Sequence, residues 1–395
     1  MLPEADNAPP EAPQPDLTAA AVSLSMPSPA VEAALGNRSY PFSFTGDAKE
    51  YFRIWIVNLF LSVITLGLYS PWAKVRKNRY LYANTWVADA NFEYHANPVA
   101  ILKGRLIAVA ALIAYNLGGH YLPKLGTAIV VLLMVAAPWL VVRSMQFNAV
   151  NTSYRNLRFH FHGRYGEGLK VIAPFLLSPI LALLLPTFDP TNMKPNAANI
   201  AALFLPILPL SFFYPWVMAM LKRFQVGNLA YGSQHFAITL KISSFYGIYL
   251  LAGALTFVAA LVMGVAIAIL AFISQALATA VPVLTYFFLI AVVFAFTRSR
   301  VTNLTFNASS AGRARFVSSI GFWRLARIYF VNVFVIVVTC GLMVPWAVVR
   351  VAKYRAECLR LEADGDLEGV LADVSKPVAA TGDQLGEFFD VDLSL

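Results

Sequence analysis

Charge is what this sequence has least of. Asp, Glu, Lys and Arg make up 13% of its 395 residues, about half the roughly 25% usual in a soluble domain. So few charged groups do not cover a water-facing surface. With a mean hydropathy of +0.63, the apolar remainder needs lipid to face. Acids are scarcer than bases, 21 against 30, for a net charge of +9. The bases gather at the ends of apolar runs, which marks orientation in a bilayer and gives no reason to expect nucleic acid as a partner. Cysteine is nearly absent. Cys340 and Cys358 lack the spacing of a CxxC pair or a metal site, so no disulfide or metal role is expected. Also missing are HExxH, GxSxG, a P-loop and a glycine-rich dinucleotide turn. No nucleophile–base set stands in their place, so neither enzymatic chemistry nor a cofactor is expected. The N-terminal stretch has no basic region followed by a short apolar core, and no cleavable signal is expected. Ionisable residues inside the apolar runs are almost lacking. That argues against a proton-coupled carrier with an acidic relay.

Apolar runs are plentiful. Eight of them, at about 53–72, 101–118, 125–142, 170–187, 199–220, 246–272, 277–297 and 326–348, approach the ~20 residues a helix needs to cross hydrocarbon. The expected fold class is an all-α polytopic membrane protein of about eight hydrophobic segments. These are built from internal repeats, with short aromatic β-strand elements in the basic loops. Residues 1–38 are rich in Pro and Ala and read as a disordered tail. Residues 39–360 form the membrane domain and 361–395 an acidic tail, a candidate contact for a protein partner. The loops alternate between basic and nearly uncharged, which assigns the basic ones to the cytoplasm.

Two segments repeat. Residues 53–80 align without gaps on 327–354, with 15 of 28 positions identical, among them Asn58/Asn332, Gly67/Gly341, Pro71/Pro345, Trp72/Trp346, Arg76/Arg350 and Tyr80/Tyr354. Matched Asn, Gly, Pro, Trp and Arg in register point to duplication. Weaker copies follow Pro138-Trp139 and Pro215-Trp216, and the run FAFTRSR at 294–300 lacks the Pro-Trp pair. Alternating aromatics, F-x-F-x-G-x-x-x-E at 42–50 and 159–167, suggest a short strand and turn. The repeat conflicts with eight crossings. The first and last segments have a strand-like element before them and basic residues after them. Eight full crossings put both termini outside, against the charge rule. Re-entrant segments bent at Gly67 and Gly341 put both inside with six crossings. Both alternatives stand at the level of sequence.

Candidate polar groups follow from the repeat. Asn58 and Asn332 form a candidate intramembrane pair, either bonding between helices or lining a pathway. Trp72, Arg76, Arg79, Trp139, Arg143, Trp216, Arg223, Trp346, Arg350 and Lys353 are candidate lipid-headgroup contacts, because tryptophan and basic side chains favour the interface. His160 and His162 alternate and share a strand face, with no third ligand for a metal. Membrane lipids are the expected partners.

The stretches FSFTGDAKEYFRIWIVN, TLGLYSPWAKVRKNRYLYANT, ILKGRLIA, TSYRNLRFHFHG and the C-terminal GEFFDVDLSL resemble the YjgN-like family of bacterial inner-membrane proteins. The resemblance covers most of the chain outside the N-terminal tail. It implies a multi-span protein of the bacterial cytoplasmic membrane and supplies no activity. Repeated helical units suggest transport or lipid handling. The alternative is a scaffold that recruits a partner through its acidic tail.

Overall fold

The computed structural model describes residues 38–121, 123–184, 200–201 and 204–364. The alternating aromatics fold as short strands: β1 (Arg38–Pro41), β2 (Ser43–Phe44), β3 (Thr85–Val87), β4 (Ala90–Tyr94), β5 (Thr152–Tyr154), β6 (Leu157–Phe161), β7 (Leu229–Tyr231), β8 (Gln234–Ile238), β9 (Ser309–Ala311), β10 (Ala314–Ser318) and β11 (Leu359–Ala363). Four two-residue turns join β3–β4, β5–β6, β7–β8 and β9–β10. Ala88-Asp89 and Arg155-Asn156 hold positive φ at both places, while Gly232 and Gly312 supply it at the other two turns. This is the chemistry that suits the twist of a hairpin.

All eleven strands form one sheet, in the order β1-β11-β10-β9-β8-β7-β6-β5-β4-β3-β2. Its two ends, β1 and β2, are consecutive in the chain and separated only by Phe42. β1 pairs with β11 and β2 pairs with β3. The sheet therefore curls round on itself, and the seam is a single strand shared between the chain's two ends. Curling hides most of the edge groups an open sheet leaves unpaired.

Between the strands lie α1 (Ala48–Ile64), α2 (Ser70–Ala83), α3 (Pro98–Tyr121), α4 (Pro123–Val150), α5 (Tyr165–Leu184), α6 (Ile207–Gly227), α7 (Ile242–Ile273), α8 (Gln275–Asn307), α9 (Phe322–Val338) and α10 (Val344–Glu357). Each helix packs on its neighbours in the sequence, and α10 packs on α1. A ring of helices thus stands on the barrel of strands. The chain leaves the barrel along one helix and returns along the next. β2 and β3, which flank the first helix pair, are themselves hydrogen-bonded.

The outer pairs are short. α1 and α9 have 17 residues each and α2 and α10 have 14, or about 25 and 21 Å of helix. α7 and α8 have 32 and 33 residues, about 48 to 50 Å. Both short pairs turn in the same way. Leu66 and Cys340 have φ near 49°, and Gly67 and Gly341 follow at 89° and 90°. The Gly67 amide bonds back to Ser62 at 2.7 Å and the Gly341 amide to Ile336 at 2.8 Å, which closes off the helix end. At the base of each pair a tyrosine clamps the strand-to-helix corner. Tyr80 Oη accepts from the Asp47 amide at 2.8 Å, and Tyr354 Oη accepts from the Gly321 amide at 2.9 Å.

The expectation of an all-α chain with about eight crossing segments is corrected on two counts. The strands form a near-barrel sheet of eleven members. Among the described residues, three helices are long and apolar enough to cross a membrane, within Pro98–Leu117, Ala128–Val150 and Ile242–Ile273. Counting apolar residues treats 53–72 and 326–348 as spans. The structure breaks each of them at a glycine and sends it back. β1 begins at Arg38 and β11 runs to Ala363, while the rest of both tails lies outside the described residues.

Candidate functional site: a cationic hollow

Four of the five described returning helices, α4 excepted, present the same stripe to one hollow. Leu81, Gln225, Thr305 and Arg355 each lie three places before a helix C-cap, and Tyr82, Val226, Phe306 and Ala356 lie two before. All eight line one hollow of about 700 Å³. The spacing of three and four residues that keeps one helix face together explains the recurrence. Six places before the cap, Lys222, Thr302 and Ala352 line it too, and Arg298 reaches it from deeper along α8.

The strand end of the hollow is aromatic. Phe42, Phe92, Phe159, Phe236 and Phe316 all line it. Phe92 meets Tyr154 with ring centres 5.0 Å apart, Phe159 meets Tyr231 at 4.9 Å, and Phe236 stacks on Phe316 at 6.1 Å. Two buried tyrosines tie next-but-one strands together, β5 to β3 and β7 to β5. Tyr154 Oη donates to the Val87 carbonyl and Tyr231 Oη to the Tyr154 carbonyl, each at 2.8 Å. Burial pushes the Tyr231 hydroxyl up to about 12, so it stays a donor.

Against this apolar wall stand three cations. Lys222 Nζ donates to Gln225 Oε1 at 3.2 Å. Among the described residues, none of Lys222, Arg298 and Arg355 forms an ion pair, and no described Asp or Glu lines the hollow. Burial pushes the Lys222 ammonium below its ordinary value, and Arg298 and Arg355 push it the same way. Burial lowers Arg355 as well, with Arg298 adding to it and Tyr329 opposing. Arg355 is hemmed in by protein yet keeps accessible surface, because it faces the hollow. Like charges held together in a partly desolvated space raise the energy of the empty site, and an anion relieves it.

A second cavity of about 540 Å³ adjoins the first. It lies between α8, α9, α10 and α2 and shares Leu81, Ala352 and Arg355 with the hollow. Its other walls include Ile290, Phe294, Val333, Ile336 and Val348, with Lys77, Tyr329 and Asn332 as polar members.

The residues singled out in the sequence fall elsewhere, Asn332 excepted. Asn332 is buried, donates to the Ala347 carbonyl at 3.4 Å and accepts from Arg350 at 3.5 Å, which ties α9 to its own partner α10. Asn58 is buried with its Oδ1 unpartnered. No hydrogen bond joins the two among the described residues. None of Trp72, Arg76, Arg79, Trp139, Arg143, Trp216, Arg223, Trp346, Arg350 and Lys353 lines either cavity. Arg79 donates to the Tyr94 carbonyl at 3.3 Å, Arg143 to Gln146 at 3.4 Å, and Arg223 to the Leu240 carbonyl. Arg350 sits over Trp346 at 5.0 Å. Trp139 is exposed, and so are Arg76 and Lys353. Trp72 stacks on Tyr69 at 5.9 Å and Trp216 is half-buried. His162 lies 5.2 Å from His235, ring to ring, and burial lowers its pKa. The three cations were legible only as loop charge. For Arg355 the signal was register: counted back from its helix end, it stands where sister helices carry Leu81, Gln225 and Thr305.

A ring of helices on a curled sheet, with apolar side chains turned outward (Phe272 is 93% exposed and Leu66 95%), defines an integral membrane protein with a cationic hollow. The chain belongs to the family described as "Bacterial protein of unknown function (DUF898)", whose model matches residues 39–388. It is 27% identical over 378 residues to inner membrane protein YjgN of Salmonella typhimurium strain LT2, covering 87% of this chain and 93% of the relative. It is also 27% identical over 212 residues to inner membrane protein YjgN of Escherichia coli strain K12, covering 51% and 53%. No solved structure matches it. The chain is a bacterial inner-membrane protein.

Proposed function

We propose that this protein binds an anionic ligand in the hollow, as part of a transport-like or lipid-handling role. The observation that carries it is the convergence of Lys222, Arg298 and Arg355 on one apolar-walled space with no lining acid among the described residues. Three cations on three different helices, α6, α8 and α10, line one hollow. A bound anion therefore bridges elements far apart in sequence and stiffens the ring. Charge-assisted bonds in such a setting contribute about 1.5–3 kcal/mol each.

The recurrence of one stripe on successive returning helices supports reading the chain as copies of a single unit. The unit is a strand, an outgoing helix, a returning helix and a strand, with the closing seam completing the circle. The cations are then individual departures from a neutral plan, as expected of a site added to a scaffold.

The test is thermal unfolding of the full chain in neutral detergent, with inorganic phosphate added at constant ionic strength. The melting temperature rises with phosphate in the parent, and the K222Q/R298Q/R355Q variant loses the rise. A parent that ignores phosphate and sulfate alike, or a triple variant that responds as the parent does, overturns the proposal.

A further inference from the structure

We infer that the ligand is an amphiphile taken from the surrounding bilayer. Its phosphate-bearing head lies on the hollow's cations and its acyl chain in the adjoining crevice. This rests on the reading of the hollow as an anion site and goes beyond it by naming the ligand's class and its route of entry.

Three observations carry the inference. The crevice is continuous with the hollow, because Leu81, Ala352 and Arg355 belong to the walls of both. Charge is graded along the path. Arg355 stands at the junction and Lys77 seven places before its helix's cap, Tyr329 and Asn332 add polar wall, and the remaining walls, with Ile290, Val333, Ile336 and Val344 among them, are apolar. A lipid has the same gradient, with one charged end and a long apolar remainder, whereas a free anion has no use for an apolar annex. Third, the crevice lies where a long helix stands beside a short pair. α8 runs 33 residues, but α9 and α10 turn back after 17 and 14. The tip of that pair is apolar and bare, with Val337 70% and Val338 65% exposed. Lipid tails beside the tip reach the crevice sideways, without crossing the ring of helices. Each methylene buried there tightens binding about fourfold.

The test compares two probes on the full chain in neutral detergent: inorganic phosphate and short-chain dioctanoyl phosphatidic acid, with dioctanoyl phosphatidylcholine as the neutral control. Unfolding midpoints are followed in the parent and in Ala291→Trp and Val333→Trp, which fill the crevice and leave the cations in place. The expected result is saturation by phosphatidic acid at a concentration at least about tenfold below phosphate, with little response to the neutral lipid. Each crevice variant then loses roughly tenfold in lipid response while keeping the phosphate response of the parent. A retained phosphate response also shows that the variant is folded.

If phosphate and phosphatidic acid act equally and filling the crevice changes neither, a free anion occupies the hollow. The inference then fails while the anion site survives. If neither probe acts on the parent, both fail. Should both tryptophan variants unfold, a phosphatidic acid carrying a photoreactive group on its acyl chain decides. Labelling of residues 290–294 or 333–348 supports the crevice, and labelling confined to the outer faces of α3 and α7 overturns it.

Discussion

Three places before their caps, Leu81, Gln225, Thr305 and Arg355 face one hollow, and only the last is charged. Substituting Arg355 by Gln restores the neutral pattern of the other three. It removes repulsion toward Arg298 and Lys222, so the ligand-free protein melts no lower than the parent, while phosphate binds about tenfold more weakly. Titration calorimetry and paired melting curves separate the two effects. Lys222 adds a pH signature. Its folded pKa lies below its ordinary value, so between the two the unfolded chain holds more protons than the folded one. Stability of the empty protein therefore rises with pH through that window, and anion affinity falls as the ammonium is lost. Lys222→Arg flattens the affinity profile between neutral pH and about pH 10, because arginine stays charged there. A profile unchanged by that substitution means another group titrates. Tyr231→Phe removes the buried bond to the Tyr154 carbonyl and lowers stability by about 1 kcal/mol in chemical unfolding.

Helix pairs of equal apolar character behave differently because of two glycines. Nothing stands within 4 Å of the place a Cβ occupies at Gly67 or Gly341, so alanine there meets no clash. The cost is the backbone at φ near 90°, about 1 kcal/mol at each turn. Melting of Gly67→Ala, Gly341→Ala and the double variant gives losses that add, if each pair turns independently. Part of this element level was readable in advance. Gly67 and Gly341, with basic residues after each segment, raise a returning segment as one of two alternatives, and the alternating aromatics at 42–50 and 159–167 mark strands. The closing of those strands into one sheet was not readable. Each described strand has two to five residues, and partners such as β6 and β7 are separated by two described helices and more than 60 residues. No local signal carries a pairing across that distance. The hollow was illegible for the same reason, since its walls come from α2, α6, α8, α10 and the strands between them.

Because every described helix pair starts and ends at the sheet, the four hairpin turns lie on one face of the ring. The charge rule predicts that this face is cytoplasmic. Single cysteines at Asp89, Asn156, Ser233 and Arg313, in a chain freed of Cys340 and Cys358, then all react with an impermeant maleimide from the cytoplasmic side alone. One turn labelled from the opposite side breaks the common-base arrangement. The seam at Phe42 has a further consequence, in time. β1 must pair with β11, about 320 residues later in the chain, and at ordinary rates of synthesis that wait is on the order of half a minute. During it every helix pair can enter the bilayer while the circle stays open, and the last strand to leave the ribosome meets the first. On the proposal that the hollow takes a lipid, one standing between the helices at that moment is enclosed as the circle closes, and the first occupant is then chosen during biogenesis.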